Sequence, residues 1–412
     1  MSFYMSLSSP ARIQTLDVLR GIAILGILLA NISAFAHPAF LEALSLGRGF
    51  SFFEPHLHAF ASGKFRGMLS IMLGVGLWIQ YKSLREKPGD PSSALMRRYG
   101  LLMLLGAIHG IFIWWGDILF SYGLAAMLAI ACIKMEDAKL KKLLVWVGWI
   151  MIALTSLFCI LYVLVSPDSL KPVVTKAPEP DEVTQILKAV TDFELWAHTK
   201  GGYLPQLGFR AGMSLAMMLS VTMLGPMFAF NMLIGIYLSR KGVLAQPSQH
   251  PKTIRKMLLL GFGVGLPLNA IVLFIPKGSD FAQTYTLPIE LCFSVILSLG
   301  YMAIIAILVE KFKGKIWTPL VAVGRMGLSN YIIQSLLCTT IFYSWGFAQY
   351  GKLNQNQLMQ VILGVWAFNI LFSMIWLKLY DIGPFEWVWR SMVAKRKLPW
   401  KNQKSALPPI VA

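Results

Sequence analysis

The chain has 412 residues, 56% of them hydrophobic and 14% charged, with a formal net charge of +18 and a mean hydropathy of +0.63. An average soluble domain carries about 25% charged residues, so this composition excludes a soluble globular enzyme and an intrinsically disordered chain. Nucleic-acid binding is excluded by where the charge sits, in short segments beside apolar runs rather than on one soluble face.

Ten apolar stretches follow one another near residues 18–36, 57–80, 99–114, 118–133, 143–166, 206–238, 257–276, 284–309, 317–345 and 357–377. A hydrocarbon core of about 30 Å needs about 20 such residues per helix. Of the 37 Lys and Arg, 26 lie in the N-terminal segment, the C-terminal tail and every second gap, and seven lie in the opposite gaps. Short loops rich in Lys and Arg stay cytoplasmic. The expected fold class is therefore an all-α polytopic membrane protein of about ten transmembrane helices with both termini in the cytoplasm.

The first stretch ends in Ala34-Phe35-Ala36, which looks like a signal-peptidase site. Its length, Asn31, Ser33 and the charged Asp17 and Arg20 at its base argue for a retained helix. Residues 1–166 form an N-terminal block of five spans, and 206–412 a C-terminal block of five with a basic tail able to touch anionic lipid. Between them, 167–205 reads as an external loop opened by proline, with an amphipathic helix expected from Asp181 to Lys200. No internal repeat is visible. Cys132, Cys159, Cys292 and Cys338 lie in apolar runs without metal-ligand spacing and read as buried hydrophobes. Gly261, Gly263 and Gly265 lie in mid-helix with no strand before them, which favours helix packing over a nucleotide loop.

Ionisable groups inside a bilayer are costly and face the bundle interior. An outer set comprises His37, Glu54, His56, His58, Lys64, Arg66, His109 and Asp117. His109 falls about 9 Å below the outer end of its span. Asp117 follows Trp114-Trp115-Gly116 and is placed to cap the next helix, within reach of His109. A carboxylate that orients an imidazole suits general-base catalysis, and it equally suits a plain interhelical hydrogen bond. His56 and His58 are two apart and would point to different faces of one helix, so no metal site is expected. Lys64 and Arg66, several residues inside the second span, either neutralise an anionic substrate or snorkel outward. The inner set is Asp17, Arg20, Arg97, Arg98 and Arg325. Asp17 and Arg20 share a helix face, and Arg325 opens the polar run Gly324 to Gln334 that includes Asn330. A buried Arg at the inner end would receive phosphate or pyrophosphate, or would act as a positive anchor with its own Asp partner.

Several motifs carry a resemblance. Leu16-Asp17-Val18-Leu19-Arg20-Gly21 runs through to Asn31, followed by Lys64-Phe65-Arg66, His109-Gly110 and Trp115-Gly116-Asp117. The second half has Gly324-Arg325-Met326-Gly327-Leu328-Ser329-Asn330-Tyr331 and Gly383-Pro384-Phe385-Glu386-Trp387. In this order they resemble the YeiB-like bacterial inner-membrane proteins with their C-terminal domain of unknown function. The resemblance implies an inner-membrane location. More distantly the N-terminal block is similar to transmembrane acyltransferases, including heparan-glucosaminide acetyltransferase, and implies by analogy a cytosolic acyl-CoA donor and a glycan or lipid acceptor across the membrane. Surface-glycan acyltransferases place a catalytic His after the first-helix Arg, whereas Asn31 stands at that point here. The role would pass to His109 with Asp117, or to His37.

The residues expected at a site are thus His109, Asp117 and His37 for chemistry, and Arg20, Asp17, Arg325, Arg98, Asn31, Lys64, Arg66 and Asn330 for substrate, with acyl-CoA as co-substrate and no bound cofactor. The first functional expectation is an acyltransferase. A carrier of amphipathic anions and a ligand-free structural partner are the alternatives.

Overall fold

The computed structural model describes residues 13–38, 53–165, 182–274 and 280–401, and helix lies over each of the ten apolar stretches. In chain order the helices are α1 Gln14–Ala36, α2 Phe53–Phe60, α3 Lys64–Arg85, α4 Pro91–Phe112, α5 Leu119–Ala131 and α6 Asp137–Val165, then α7 Glu182–Thr199 and α8 Tyr203–Lys241. There follow α9 Pro251–Leu258, a wide-turn segment Leu259–Gly265, α10 Leu266–Ala270, α11 Asp280–Lys311, α12 Thr318–Arg325, α13 Gly327–Phe342, α14 Gln355–Leu379 and α15 Pro384–Ala394. Among the described residues five helices are long and apolar enough to cross a membrane, and a sixth crossing is supplied by α8 if its bent halves form one span.

Large apolar side chains face outward, as they do where hydrocarbon is the solvent. On α6 Trp146, Trp149, Leu154, Leu164 and Val165 are exposed, and on α14 Leu363, Leu371 and Ile375 are. The interior is held by close backbone approach at glycine. A Cβ on Gly74 would overlap the Met232 carbonyl of α8, and one on Gly235 would overlap the Ile71 carbonyl of α3. The same reciprocity joins α1 to α12, where Gly21 meets the Leu320 carbonyl and Gly324 meets that of Asp17. These two crossings tie the first block to the second, so the halves share one core. Gly261 and Gly265 likewise pack on Gly300 and Leu297 of α11, which is the helix-packing role expected of that glycine run.

Four features depart from the expectations. Helix does not run unbroken through 57–80. It stops at Phe60, turns through Gly63 at φ +76°, and restarts, so Lys64 and Arg66 occupy the first turn of α3 rather than mid-span. The ninth stretch is two helices, interrupted at Met326. The seventh is broken by the wide turn at Leu259–Gly265. Finally, α8 bends by 65° between Ser220 and Gly225, where Pro226 removes a backbone donor and crowds the preceding turn.

The expected amphipathic helix is present as α7. It lies against the start of α8 and the turn after α13. Tyr350 donates to Glu194 Oε1 at 2.7 Å, Gln206 donates to Ser344 Oγ at 2.8 Å, and Ser344 N donates to the His198 carbonyl at 2.8 Å. His198 itself is buried between Tyr343 and Tyr350, with Nδ1 against the Glu194 carbonyl at 2.8 Å. Burial, with the Arg210 charge adding, pushes its imidazole down from the ordinary 6.5 to about 4.

Glycine at the α3–α8 crossing is therefore irreplaceable. Gly74→Ala or Gly235→Ala should lower the melting temperature or abolish monodisperse protein. Gly208→Ala, where a Cβ meets nothing within 4 Å, should be neutral or stabilising by at most about 1 kcal/mol. Fluorescence-detected size exclusion after heating separates the two. For α7, the unfolded His198 takes up its proton before the folded one as pH falls. The packing of α7 should be fully stable above about pH 6.5 and weaken toward pH 4, by roughly 3 kcal/mol if it opens as a unit. Hydrogen exchange in 182–199, corrected for intrinsic rate, should accelerate over that window and not in His198→Phe.

Candidate functional site

α4 and α5 are antiparallel neighbours joined by a short turn, and a Cβ on Gly106 would overlap Phe120 N and sit 2.6 Å from Asp117 Oδ2. That closeness places the carboxylate against α4. His109 Nδ1 and Asp117 Oδ1 are 2.9 Å apart, and Asp117 Oδ2 accepts from Phe120 N at 2.7 Å. The carboxylate therefore caps α5 with one oxygen and orients the imidazole with the other. Both side chains are buried, at 2% and 4% exposure. With Nδ1 protonated toward Asp117, Nε2 presents its lone pair, and it has no hydrogen-bond partner among the described residues.

Tyr331 of α13 completes this cluster. Its hydroxyl accepts from Ile118 N at 3.1 Å and faces the Asp117 carboxylate, while its ring stands 5.1 Å from that of His109. A small cleft opens beside Asp117, lined by Gly110, Trp115, Ser121, Ser214 and Met217 among others. His37 caps the C-terminus of α1, its backbone N–H donating to the Ser33 carbonyl. Asn31 is half-buried on the last turns of α1. Lys64 is buried and Arg66 lies 6.0 Å from the Phe228 ring, beside a second small cleft that includes Asn231 and Ser294. His56 lies on α2, and the side chains of Glu54 and His58 are outside the described residues. Among the described residues no group of three or more metal-ligating side chains exists.

The opposite end of the bundle gathers the other set. Arg20 pairs with the buried Asp17 at 3.0 Å and stays 31% exposed, with Gly76 and Tyr99 beside it. Arg98 lies over the Trp389 ring at 4.1 Å, and Trp389 Nε1 donates to the Arg98 carbonyl at 3.1 Å. Arg325 donates to the Asp381 carbonyl at 3.3 Å. Asn330 spends its amide inside the bundle, donating to Val323 O at 3.1 Å and exchanging hydrogen bonds with Ser373 Oγ. It is helix glue, with no donor left for a ligand.

Glu386 was given no role by the sequence reading, yet it joins two of the motifs. Its Oε1 accepts from Leu328 N at 2.7 Å and Ser329 N at 3.1 Å, and Oε2 accepts from Ser329 Oγ. The interruption at Met326 exposes the N-terminus of α13, and this buried carboxylate fills it. Burial raises its pKa. Arg210 and Ser214 of α8 and Tyr331 were likewise not among the residues expected at a site. The only available signal was a polar residue in an apolar run, which Arg210 met.

These motifs coincide with what the chain is similar to. A family model described as a protein of unknown function, DUF418, matches residues 238–396 and so covers both the α13 interruption and Glu386. "Uncharacterized protein YeiB" of Escherichia coli is 32% identical over 400 residues, covering 93% of this chain and 97% of that protein. "Uncharacterized protein YxaH" of Bacillus subtilis is 29% identical over 405 residues, covering 92% and 94%. All-helical and belted with apolar side chains, the chain is of the membrane-protein class, and it belongs to the YeiB-like family defined by the DUF418 domain.

Replacing Glu386 should uncover the α13 N-terminus. Glu386→Ala is expected to cost about 1–2 kcal/mol, read as a fall in melting temperature, while Glu386→Gln keeps acceptor capacity and loses less.

Proposed function

We propose that the protein is a transmembrane acyltransferase of the inner membrane, with ten spans and both termini cytoplasmic. The observation that carries this reading is the buried His109–Asp117 contact with an unpartnered Nε2. The basic end faces the cytosol and receives the phosphates of acyl-CoA at Arg20, Arg98 and Arg325. Arg98 and His109 lie on one helix, about 16 Å apart along its axis, a gap the extended pantetheine arm bridges. The acceptor hydroxyl or amine, on a glycan or lipid at the other face, gives its proton to Nε2 as it attacks the thioester carbonyl. Asp117 stabilises the resulting imidazolium. The acyl C–O or C–N bond forms, the C–S bond breaks, and the proton passes to the thiolate of CoA.

A carrier of amphipathic anions is the second reading. Discontinuous helices favour it, since transporters build their sites from such breaks, and α8 and the α12–α13 pair are both interrupted. The free N-terminus at the second break is filled by Glu386, which leaves no substrate site there.

Thiol release from acetyl-CoA and longer acyl-CoAs, with a membrane extract as acceptor, tests the first reading in proteoliposomes. His109→Gln should lose at least about a hundredfold in rate at unchanged melting temperature, and Asp117→Asn should fall between. Arg325→Ala should remove the thermal stabilisation by acyl-CoA. Undiminished turnover in His109→Gln would reject the mechanism, and anion flux without thiol release would favour the carrier.

A further inference from the structure

A second unsatisfied group sits one helix away from His109. Arg210 of α8 is 1% exposed, yet among the described residues no carboxylate pairs with it. Its Nε reaches the Ile111 carbonyl at 3.3 Å and Nη1 reaches Gln206 Oε1 at 3.4 Å, both long, and the guanidinium lies 4.8 Å from the Tyr203 ring. Among the described residues its Nη2 meets no hydrogen-bond partner of good geometry, the Tyr203 side chain being its nearest polar neighbour of note. One turn further along the same face stands Ser214, also 1% exposed, whose hydroxyl is equally unpartnered and packs against Gly110. A buried, unpaired guanidinium is strongly unfavourable unless an anion neutralises it.

We infer that Arg210 and Ser214 form a binding site for a phosphodiester group, at the end of the bundle that holds His109. Three considerations select that chemistry. Two donors from separate side chains, rather than one guanidinium edge, suit a tetrahedral oxyanion better than a planar carboxylate. Asp117 and Ser214 line one cleft, with Arg210 one turn along α8 from Ser214, and the Asp117 carboxylate disfavours a dianion, so a singly charged diester fits better than a phosphate monoester. The cleft is rimmed by Met217 and Met218 of α8, just before its 65° bend, so Ser214 is approached from the bilayer side. The site does not depend on acyl transfer. If acyl transfer occurs, the acceptor is a phosphodiester-bearing molecule held within reach of Nε2.

The test is a thermal-shift titration of the full-length protein in a neutral maltoside. The lipid arm uses dihexanoyl-phosphatidylglycerol, the soluble arm glycerophosphoglycerol and inorganic phosphate, and the phosphate-free control dihexanoylglycerol. A saturable rise of several degrees is expected with the diesters and not with the control. A rise with the lipid alone assigns a headgroup, and a rise with both assigns the diester itself. Arg210→Met should abolish the shift while melting, without probe, at or above the wild-type temperature, because the uncompensated charge is gone. Ser214→Ala should weaken the apparent affinity about tenfold, and His109→Gln should retain binding, which separates this site from the catalytic reading. No shift with any diester, or an equal shift with dihexanoylglycerol or in Arg210→Met, would overturn the site. Should Arg210→Met not fold, an unchanged affinity in Ser214→Ala would do so.

Discussion

Hydrocarbon offers helices no reward for burying leucine against leucine, so a bundle in a bilayer must be held by contact distance and by hydrogen bonds. In this protein the distance is set at glycine. Gly74 against Met232, Gly235 against Ile71, and the Gly21–Gly324 pair bring backbones so near that no Cβ fits. The site inherits its geometry from the same device. Gly106 lets the start of α5 touch α4, and that approach alone carries Asp117 to 2.9 Å from His109. A larger residue at 106 would leave both groups in place along their helices and still separate them.

The family-defining half contributes through an interruption. Breaking the ninth stretch at Met326 costs backbone hydrogen bonds in a medium that cannot replace them, and Glu386 restores two. α15 is anchored by this contact, and through Trp389 it also holds Arg98 on α4. One turn past the capped end, the same helix delivers Tyr331 to Ile118 and Asp117. A single carboxylate on the last helix thus supports groups at both ends of α4.

Helix positions were legible because apolar run length is a strong signal, and every stretch from 18–36 to 357–377 holds helix. The adjacency of His109 and Asp117 was legible because a tight turn leaves antiparallel neighbours few arrangements. The breaks were hidden. Met326 and the 259–265 segment have no proline within them, and glycine and polar residues at both places read equally well as helix contacts within an intact span. Asn330 misled for a related reason: a polar residue in a span marks either a ligand or a helix contact, and only the position of Ser373, 43 residues on, decides between them. Glu386 lay outside the spans, where an acid attracts no notice, and its partner was 57 residues away.

The two ends of the bundle differ in how their polar groups are spent. At the basic end, the buried atoms without a hydrogen-bond partner among the described residues include the inner Nε of Arg98 and Arg240 and the distal Oε1 of Gln80, while Arg240 reaches Asp137 and two carbonyls, Arg325 the Asp381 carbonyl, and Arg98 the Trp389 ring. These side chains are anchored, and what they offer a ligand is exposed charge. At the His109 end, the atoms left over are the distal ones, namely Nε2 of His109, Nη2 of Arg210, Oγ of Ser214 and Nε1 of Trp114. Structure-building contacts consume the reachable atom of a side chain first, because that atom does the bonding. Where the far atoms of several buried side chains remain unspent together, the fold has paid a desolvation cost that its own contacts do not return. That clustering is the physical argument behind proposing chemistry at the His109 end and anchoring at the other.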